Sequence, residues 1–215
     1  MIRKDYLIAA LEQMARDIID HEEELNRLDN AIGDGDHGTN MARASRILVM
    51  ELPEIVDTRE DLGAILHQVG MRFVSEIGGS AGPLFGTLFL RAGMANRGND
   101  TMDKAGLVMC LEAGAMGVSQ IGMSTEGEKT MLDALFPAIR AMQKALEVGK
   151  GYKEVLAAGV AGAHEGVEYT KTIQATKGRA SYIGERSIGH PDPGATTIEI
   201  IIRAFHKVAL EYIRE

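Results

Sequence analysis

Tryptophan is absent from the 215 residues, aromatic residues make up only 5%, and there is a single cysteine, Cys110. One thiol cannot form an internal disulfide, so the chain must rely on a hydrophobic core and suits a reducing compartment. Positive charge is also in deficit: 23 Lys and Arg against 31 Asp and Glu leave a formal net charge of −8. That balance argues against broad nucleic-acid or anionic-membrane binding. Long apolar runs are missing too. The longest uncharged stretch, between Glu76 and Arg91, has 14 residues and is interrupted by Gly78, Gly79, Gly82, Pro83 and Gly86, which predicts no bilayer span. The charged start Met1-Ile2-Arg3-Lys4-Asp5 leads into no apolar h-region, so a soluble cytoplasmic protein is expected.

Glycine, by contrast, is abundant: 25 of 215 residues, about 12%, where ~7% is usual. There is no Gly-X-Y period, which excludes collagen, and 45% hydrophobic residues exclude disorder. Glycine weakens helix and strand interiors, so an excess must be required somewhere. The length is expected to form one domain spanning 1–215.

Periodicity predicts an all-α chain. Tyr6, Ala10, Met14, Ile18, His21, Leu25 and Leu28 form one face of a first helix ending at Asp29-Asn30. A second runs from about Thr39 to Leu52 and stops at Pro53. Thr58 and Asp61 are spaced as a capping box for a third, lined by Leu62, Ile65, Leu66, Val69 and Phe73 and ended by Gly78-Gly79. Pro83 suits the first turn of a fourth, reaching Ala95. Asp100-Thr101 caps a fifth, from Asp103 to Val118. A sixth, Thr130 to Leu146, is expected to kink at Pro137. The seventh runs from Tyr152 to about Ala175, and Gly159, Gly162, Ala163 and Gly166 form a small-residue face. The last runs from Pro193 to near Arg214. Its β-branched run Thr196–Ile202 also fits a strand, but a lone strand has no partner here. Eight helices with short connections imply an antiparallel up-and-down barrel or bundle.

Four connections stand out: 28–40, 78–86, 122–130 and 177–194. The first contains Asp29, Asp34 and Asp36 and reads Gly33-Asp34-Gly35-Asp36-His37-Gly38. Its G-x-G-x-x-G spacing is not a dinucleotide fingerprint, because a helix precedes it and its carboxylates would repel a pyrophosphate. A divalent cation reverses that repulsion: the three carboxylates could hold one or two Mg²⁺, with phosphate oxygens completing the shell. His37, Gly38, Thr39 and Asn40 then open a helix whose N–H groups suit phosphate. The second connection, around Ser80 and Ala81, lets the backbone approach a ligand closely. The third, Gly122 to Thr130, misses the phosphate-loop pattern because Glu128 separates Gly127 from Lys129. The fourth offers the planar donors of Arg179 and Arg186 and, at 18 residues, is long for a bundle connection. Cys110 and the methionines read as core.

Taken together, these stretches resemble a known family. Gly33–Gly38, Gly82-Pro83-Leu84-Phe85-Gly86, Gly127-Glu128-Lys129-Thr130-Met131, Lys177–Tyr182, Gly184–His190 and Asp192–Thr196 are similar, in order and over essentially the whole chain, to the L subunits of bacterial dihydroxyacetone kinase. The resemblance implies an eight-helix antiparallel barrel with an ADP-Mg²⁺ site at one end. It implies Asp29, Asp34 and Asp36 as metal ligands, catalytic together with Arg179. His37, Gly38, Thr39, Asn40, Ser80, Ala81, Gly122, Met131, Arg179, Asp192, Pro193 and Gly194 would surround the nucleotide. ADP would be retained like a cofactor and rephosphorylated by a phosphohistidine-carrying M subunit. It would then pass the phosphoryl group to dihydroxyacetone held on a K subunit. Ala81 departs from relatives that carry Ser at that position, which leaves any hydroxyl contact to Ser80. The same domain could serve a kinase with another acceptor, such as a fatty acid, or a binding protein read by a transcription regulator. On this reading 11 of the 25 glycines (33, 35, 38, 78, 79, 82, 86, 178, 184, 189 and 194) lie in ligand loops. Much of the remainder, around 106–117 and 159–166, would serve close helix packing.

Overall fold

The computed structural model describes residues 1–58 and 61–213. The described residues form nine α-helices and one 3₁₀ segment, with no strand longer than a single bridge. In chain order these are α1 (Lys4–Asp20), α2 (Glu22–Ile32), α3 (His37–Asp57), α4 (Leu62–Glu76), α5 (Ala81–Ala95), α6 (Lys104–Gly122), α7 (Leu132–Glu147), α8 (Tyr152–Thr170) and α9 (Pro193–Tyr212). The 3₁₀ segment, Arg179–Ser187, lies between α8 and α9 and is broken at Gly184.

From α3 to α9 each helix packs on the next; α9 returns to α1, and α1 packs on α3, so eight helices close a ring. α2 continues from α1 and covers one end of α3 and α9. The apolar stripes point inward into one core, which includes Leu11, Met14, Leu48, Phe73, Leu135, Leu156 and Ile198. Cys110 is buried, as expected, but only five of the twelve methionines are core: Met14, Met41, Met102, Met131 and Met142 are buried, whereas Met1, Met50, Met71, Met94, Met109, Met116 and Met123 are exposed, because they fall on outward helix faces or at chain and helix ends. An apolar cavity of about 60 Å³ remains on the axis among Leu66, Leu88, Phe89, Leu156 and Ile202. At one end Ile2 and Met102 exchange two backbone hydrogen bonds of 2.7 and 3.0 Å, which pin the N-terminus across the ring.

Several boundaries differ from the sequence reading, each for a local reason. The first helix is two. The chain breaks at His21 (φ −96°, ψ 12°), whose Nδ1 donates to the Asp17 carbonyl at 2.6 Å and satisfies the end of α1. Glu22, Glu23 and Glu24 then open α2, where negative charge is favoured. α2 continues to Ile32, so Asp29 lies inside a helix rather than after one. Pro53 does not stop α3. It stands in the last two turns, where the lost N–H leaves only the Val49 carbonyl without its intrahelical donor, and the helix continues to Asp57.

Thr58 is not half of a capping box. It closes α3, donating its hydroxyl to the Glu54 carbonyl at 2.9 Å, while Asp61 alone caps α4 by accepting from Ala64 N at 2.7 Å. Likewise Asp103, not Asp100-Thr101, caps α6 by accepting from Gly106 N at 2.6 Å. α8 ends five residues earlier than expected, at Thr170, and α9 ends at Tyr212, with Arg214 outside the described residues. The β-branched run 196–202 is helical. By length and composition α6 is apolar enough to cross a membrane despite Lys104 and Glu112; it packs in the ring between α5 and α7.

Candidate functional site

Because the helices alternate in direction, the four unusual connections all lead into α3, α5, α7 and α9 at the same end of the ring. Four helix N-termini, each a partial positive charge, therefore converge there. Cross-contacts join the connections in sequence around the rim. Gly78 faces the Asn40 amide, and Gly122 faces Leu84 and Ser124. Lys177 donates to the Met123 carbonyl at 2.6 Å, and Arg179 pairs with Asp34 at 3.1 Å.

The acidic cluster is real. One carboxylate oxygen from each of Asp29, Asp34 and Asp36 lies within 4.8 Å of the others. Asp29 is 9% exposed, and Asp34 and Asp36 are open to solvent. Asp29 is held from α3: its Oδ2 accepts from the Asp36 and His37 backbone N–H groups at 3.0 and 3.2 Å. Gly33 is required beside it, because a Cβ there would stand 2.2 Å from Asp29 Oδ1. Clustered carboxylates at this spacing are hard oxygen donors suited to Mg²⁺. The repulsion among them is a reason for the cluster to take up a cation.

The N-terminus of α3 is less open than its sequence suggests. Besides the two N–H groups bound to Asp29, the Thr39 N–H donates to Asn26 Oδ1 and its hydroxyl accepts from Asn26 Nδ2, both at 2.9 Å. Gly38 is buried against α2, where a Cβ would meet the Glu22 carbonyl at 2.1 Å. The His37 ring turns away from the carboxylates to Thr197, with Nε2 and Oγ1 at 2.9 Å, and packs near Phe85. The Thr197 hydroxyl donates to the Pro193 carbonyl, so His37 Nε2 must carry the donating proton. Burial pushes the His37 pKa down, against the pull of Asp29 and Asp36. The side chain thus ties α3 to α9.

Across the rim, Asp192 caps α9 by accepting from Ala195 N at 2.8 Å, followed by Pro193 and Gly194. Burial raises the Asp192 carboxyl to about 7, helped by Asp133 and Asp29 and opposed by the Ala195 N–H and Lys129. Gly194 approaches Met131, which is buried at the start of α7. Ser80 immediately precedes α5, which begins at Ala81. Gly122 is the last residue of α6.

Two residues of this end escaped the sequence reading. Asp133 is fully buried and accepts from Gly127 N at 2.6 Å and Thr130 N at 2.7 Å, which frames the third connection. Burial raises its pKa. Lys129 is 2% exposed and donates to backbone carbonyls at the end of α8 and in the chain between α8 and α9. The interrupted phosphate-loop pattern marked this stretch, but nothing in it showed that the lysine turns inward.

The sequence matches the DAK2 domain over residues 31–207. It is 41% identical over 196 residues to the ADP-binding subunit DhaL of the PEP-dependent dihydroxyacetone kinase of Escherichia coli (strain K12), covering 91% of this chain and 92% of that one. It is 34% identical over 198 residues to the L-erythrulose 1-kinase of Mycolicibacterium smegmatis, covering 92% of this chain but 34% of that protein. The crystal structure of the dihydroxyacetone kinase from C. freundii in complex with AMP-PNP and Mg²⁺ matches with a TM-score of 0.71 at 27% identity, over 94% of this chain and 33% of that one.

Proposed function

The chain belongs to the DAK2 domain family, and we propose that it is the ADP-binding, phosphoryl-passing subunit of a phosphoenolpyruvate-dependent dihydroxyacetone kinase, acting as one domain over 1–215 in the cytoplasm. The observation that carries this reading is the convergence of Asp29, Asp34 and Asp36 with Arg179 at the rim where four helices begin. Polyphosphate alone would be repelled by that cluster. With two Mg²⁺ ions the same carboxylates become the base of a nucleotide site, and the bound metal supplies neutralisation of the transferring group.

The chain's own residues then have distinct tasks. Asp29, oriented by the α3 amides, and the exposed Asp34 and Asp36 hold the metal. Arg179 exchanges its Asp34 partner for a phosphate oxygen, which suits a planar guanidinium. Ser80-Ala81, Gly122, Met131 and Asp192–Gly194 wall the nucleotide, while the His37 ring keeps α3 and α9 in register behind it. No general base is asked of this chain, because the acceptor hydroxyl sits on a K-type subunit and the donor phosphohistidine on an M-type subunit.

The test is to purify the chain and ask what it carries. Tightly held ADP is expected, with Mg²⁺-dependent transfer to dihydroxyacetone only when both partner subunits are present. Rapid exchange with free nucleotide would defeat the retained-cofactor reading. The likeness to an L-erythrulose 1-kinase favours one second reading, a related kinase with another acceptor. Exchanging the acceptor subunit in the reconstituted assay separates the two.

A further inference from the structure

Among the described residues Lys129 is the one lysine or arginine that is buried. Among the described residues no carboxylate lies in a direct ion pair with its ammonium. It donates instead to three backbone carbonyls, those of Thr170, Ile173 (3.4 Å) and His190 (2.5 Å). Thr170 is the last residue of α8, where carbonyls lack intrahelical donors and a cation is favoured. His190 lies three residues before α9. The ammonium therefore closes the base of a segment of about twenty residues that carries Arg179 at its far side. An apolar side chain of similar length would fill the same space without the cost of a buried charge.

We propose that Lys129 is a positioning residue for nucleotide retention: its ammonium ties both ends of segment 171–192 to the loop before α7, and so sets where Arg179 and the Asp192–Gly194 turn stand beside the acidic cluster. The proposal rests on the ADP-Mg²⁺ reading above. Three further features support it. Lys129 is held at φ 61°, an uncommon conformation for a residue with a side chain. Asp133 braces the same turn from both sides of Lys129, through Gly127 N and Thr130 N. Burial lowers the Lys129 pKa, while Asp192 and Asp133, the charged groups facing it, raise it. Two other bonds close the same base, Gly189 N to the Lys171 carbonyl at 2.7 Å and Asp192 N to Thr170 Oγ1 at 3.0 Å. Neither uses the ammonium, so a displaced segment is expected rather than an unfolded protein when it is removed.

Lys129→Met keeps the length and removes the charge. On the intact chain, release of a fluorescent ADP in Mg²⁺ is expected to accelerate at least tenfold per folded molecule. Amide hydrogen exchange is expected to accelerate over 171–192 and stay unchanged in α1 to α6. A purely structural role would lower the folded fraction and leave release from folded molecules unaltered; that result, or a wild-type exchange map, overturns the proposal. If Lys129→Met does not fold, Lys129→Gln is measured in its place, and failure of both to fold overturns the proposal by assigning Lys129 to the whole barrel. A wild-type chain that retains no ADP-Mg²⁺ defeats the reading of the preceding section and the retention claim with it. The exchange map would then still report whether the clamp exists.

Discussion

Along the α4–α5 wall, Gly63 faces Gly93 and Gly70 faces Gly86. A Cβ on Gly63 or Gly93 would stand 2.5 Å from the other's carbonyl oxygen, and on Gly70 it would stand 2.7 Å from that of Gly86. At the rim, Gly127 and Gly189 both sit at φ 91°, and a methyl group on either would meet nothing within 4 Å. The wall glycines let two backbones touch; the rim glycines let one backbone turn. A methyl group at the wall therefore pushes helices apart and is felt by the whole ring, whereas at the rim it strains one loop. Gly33 and Gly38 belong to the wall kind although they stand in the acidic connection, since both are closed in by α2. Gly82 and Gly86, expected to serve a ligand loop, are also packing positions.

The sharpest contrast between the regions should come from charge. Asp29→Asn keeps an oxygen to accept the two α3 amides but removes a ligand charge. Magnesium-dependent transfer in the reconstituted three-subunit assay is expected to fall by at least about a hundredfold, with the urea midpoint little changed. Gly63→Ala should do the reverse: a loss of about 1–3 kcal/mol in urea unfolding, with ADP affinity per folded molecule preserved. If affinity falls and stability does not, the distinction between wall and rim is wrong.

A third expectation concerns pH. Because burial holds Asp192 near 7, the native chain keeps a proton that an unfolded carboxyl, with a pKa of about 3.9, has released. The unfolded state binds fewer protons in that window, so this group's contribution falls as pH rises from about 4 to about 7 and is level above. Asp192→Asn removes the titration and should keep the α9 cap. Wild type is expected to lose stability relative to the variant across that window in metal-free buffer, and a constant difference between the two would contradict it. The smallest effect is expected for Gly127→Ala, about 1 kcal/mol from the left-handed backbone, with faster hydrogen exchange confined to the loop before α7.

Much of the barrel was legible from side-chain spacing. The inward stripes of α3 to α9 recur at three and four residues, and their number leaves room for a closed ring. Where the reading failed, competing local chemistry decided the boundary. The His21 ring could satisfy the end of α1, and a proline near a helix end cost less than a stop. Asp61 and Asp103 were better placed than their rivals to accept an amide. The close approach of α4 and α5 was not visible, because Gly63, Gly70, Gly86 and Gly93 are meaningful only once two helices are set side by side. In the site, three carboxylates within eight residues announced themselves. The occupation of the Thr39 amide by Asn26, the turn of His37 toward Thr197 and the burial of Lys129 did not.

The sequence by itself determined what is local in the chain: helical faces, capping chemistry, the acidic Asp-Gly-Asp turn and the excess of negative charge that calls for a cation. Only the tertiary structure decided which of these meet. An ammonium at 129 reaches carbonyls at 170 and 190, and a guanidinium at 179 reaches a carboxylate at 34, because the ring returns four helix starts to one end. Helical periodicity acts over three or four residues and can be read along the chain. Contacts across tens or hundreds of residues depend on the path between them, and that path follows from burying every apolar stripe at once.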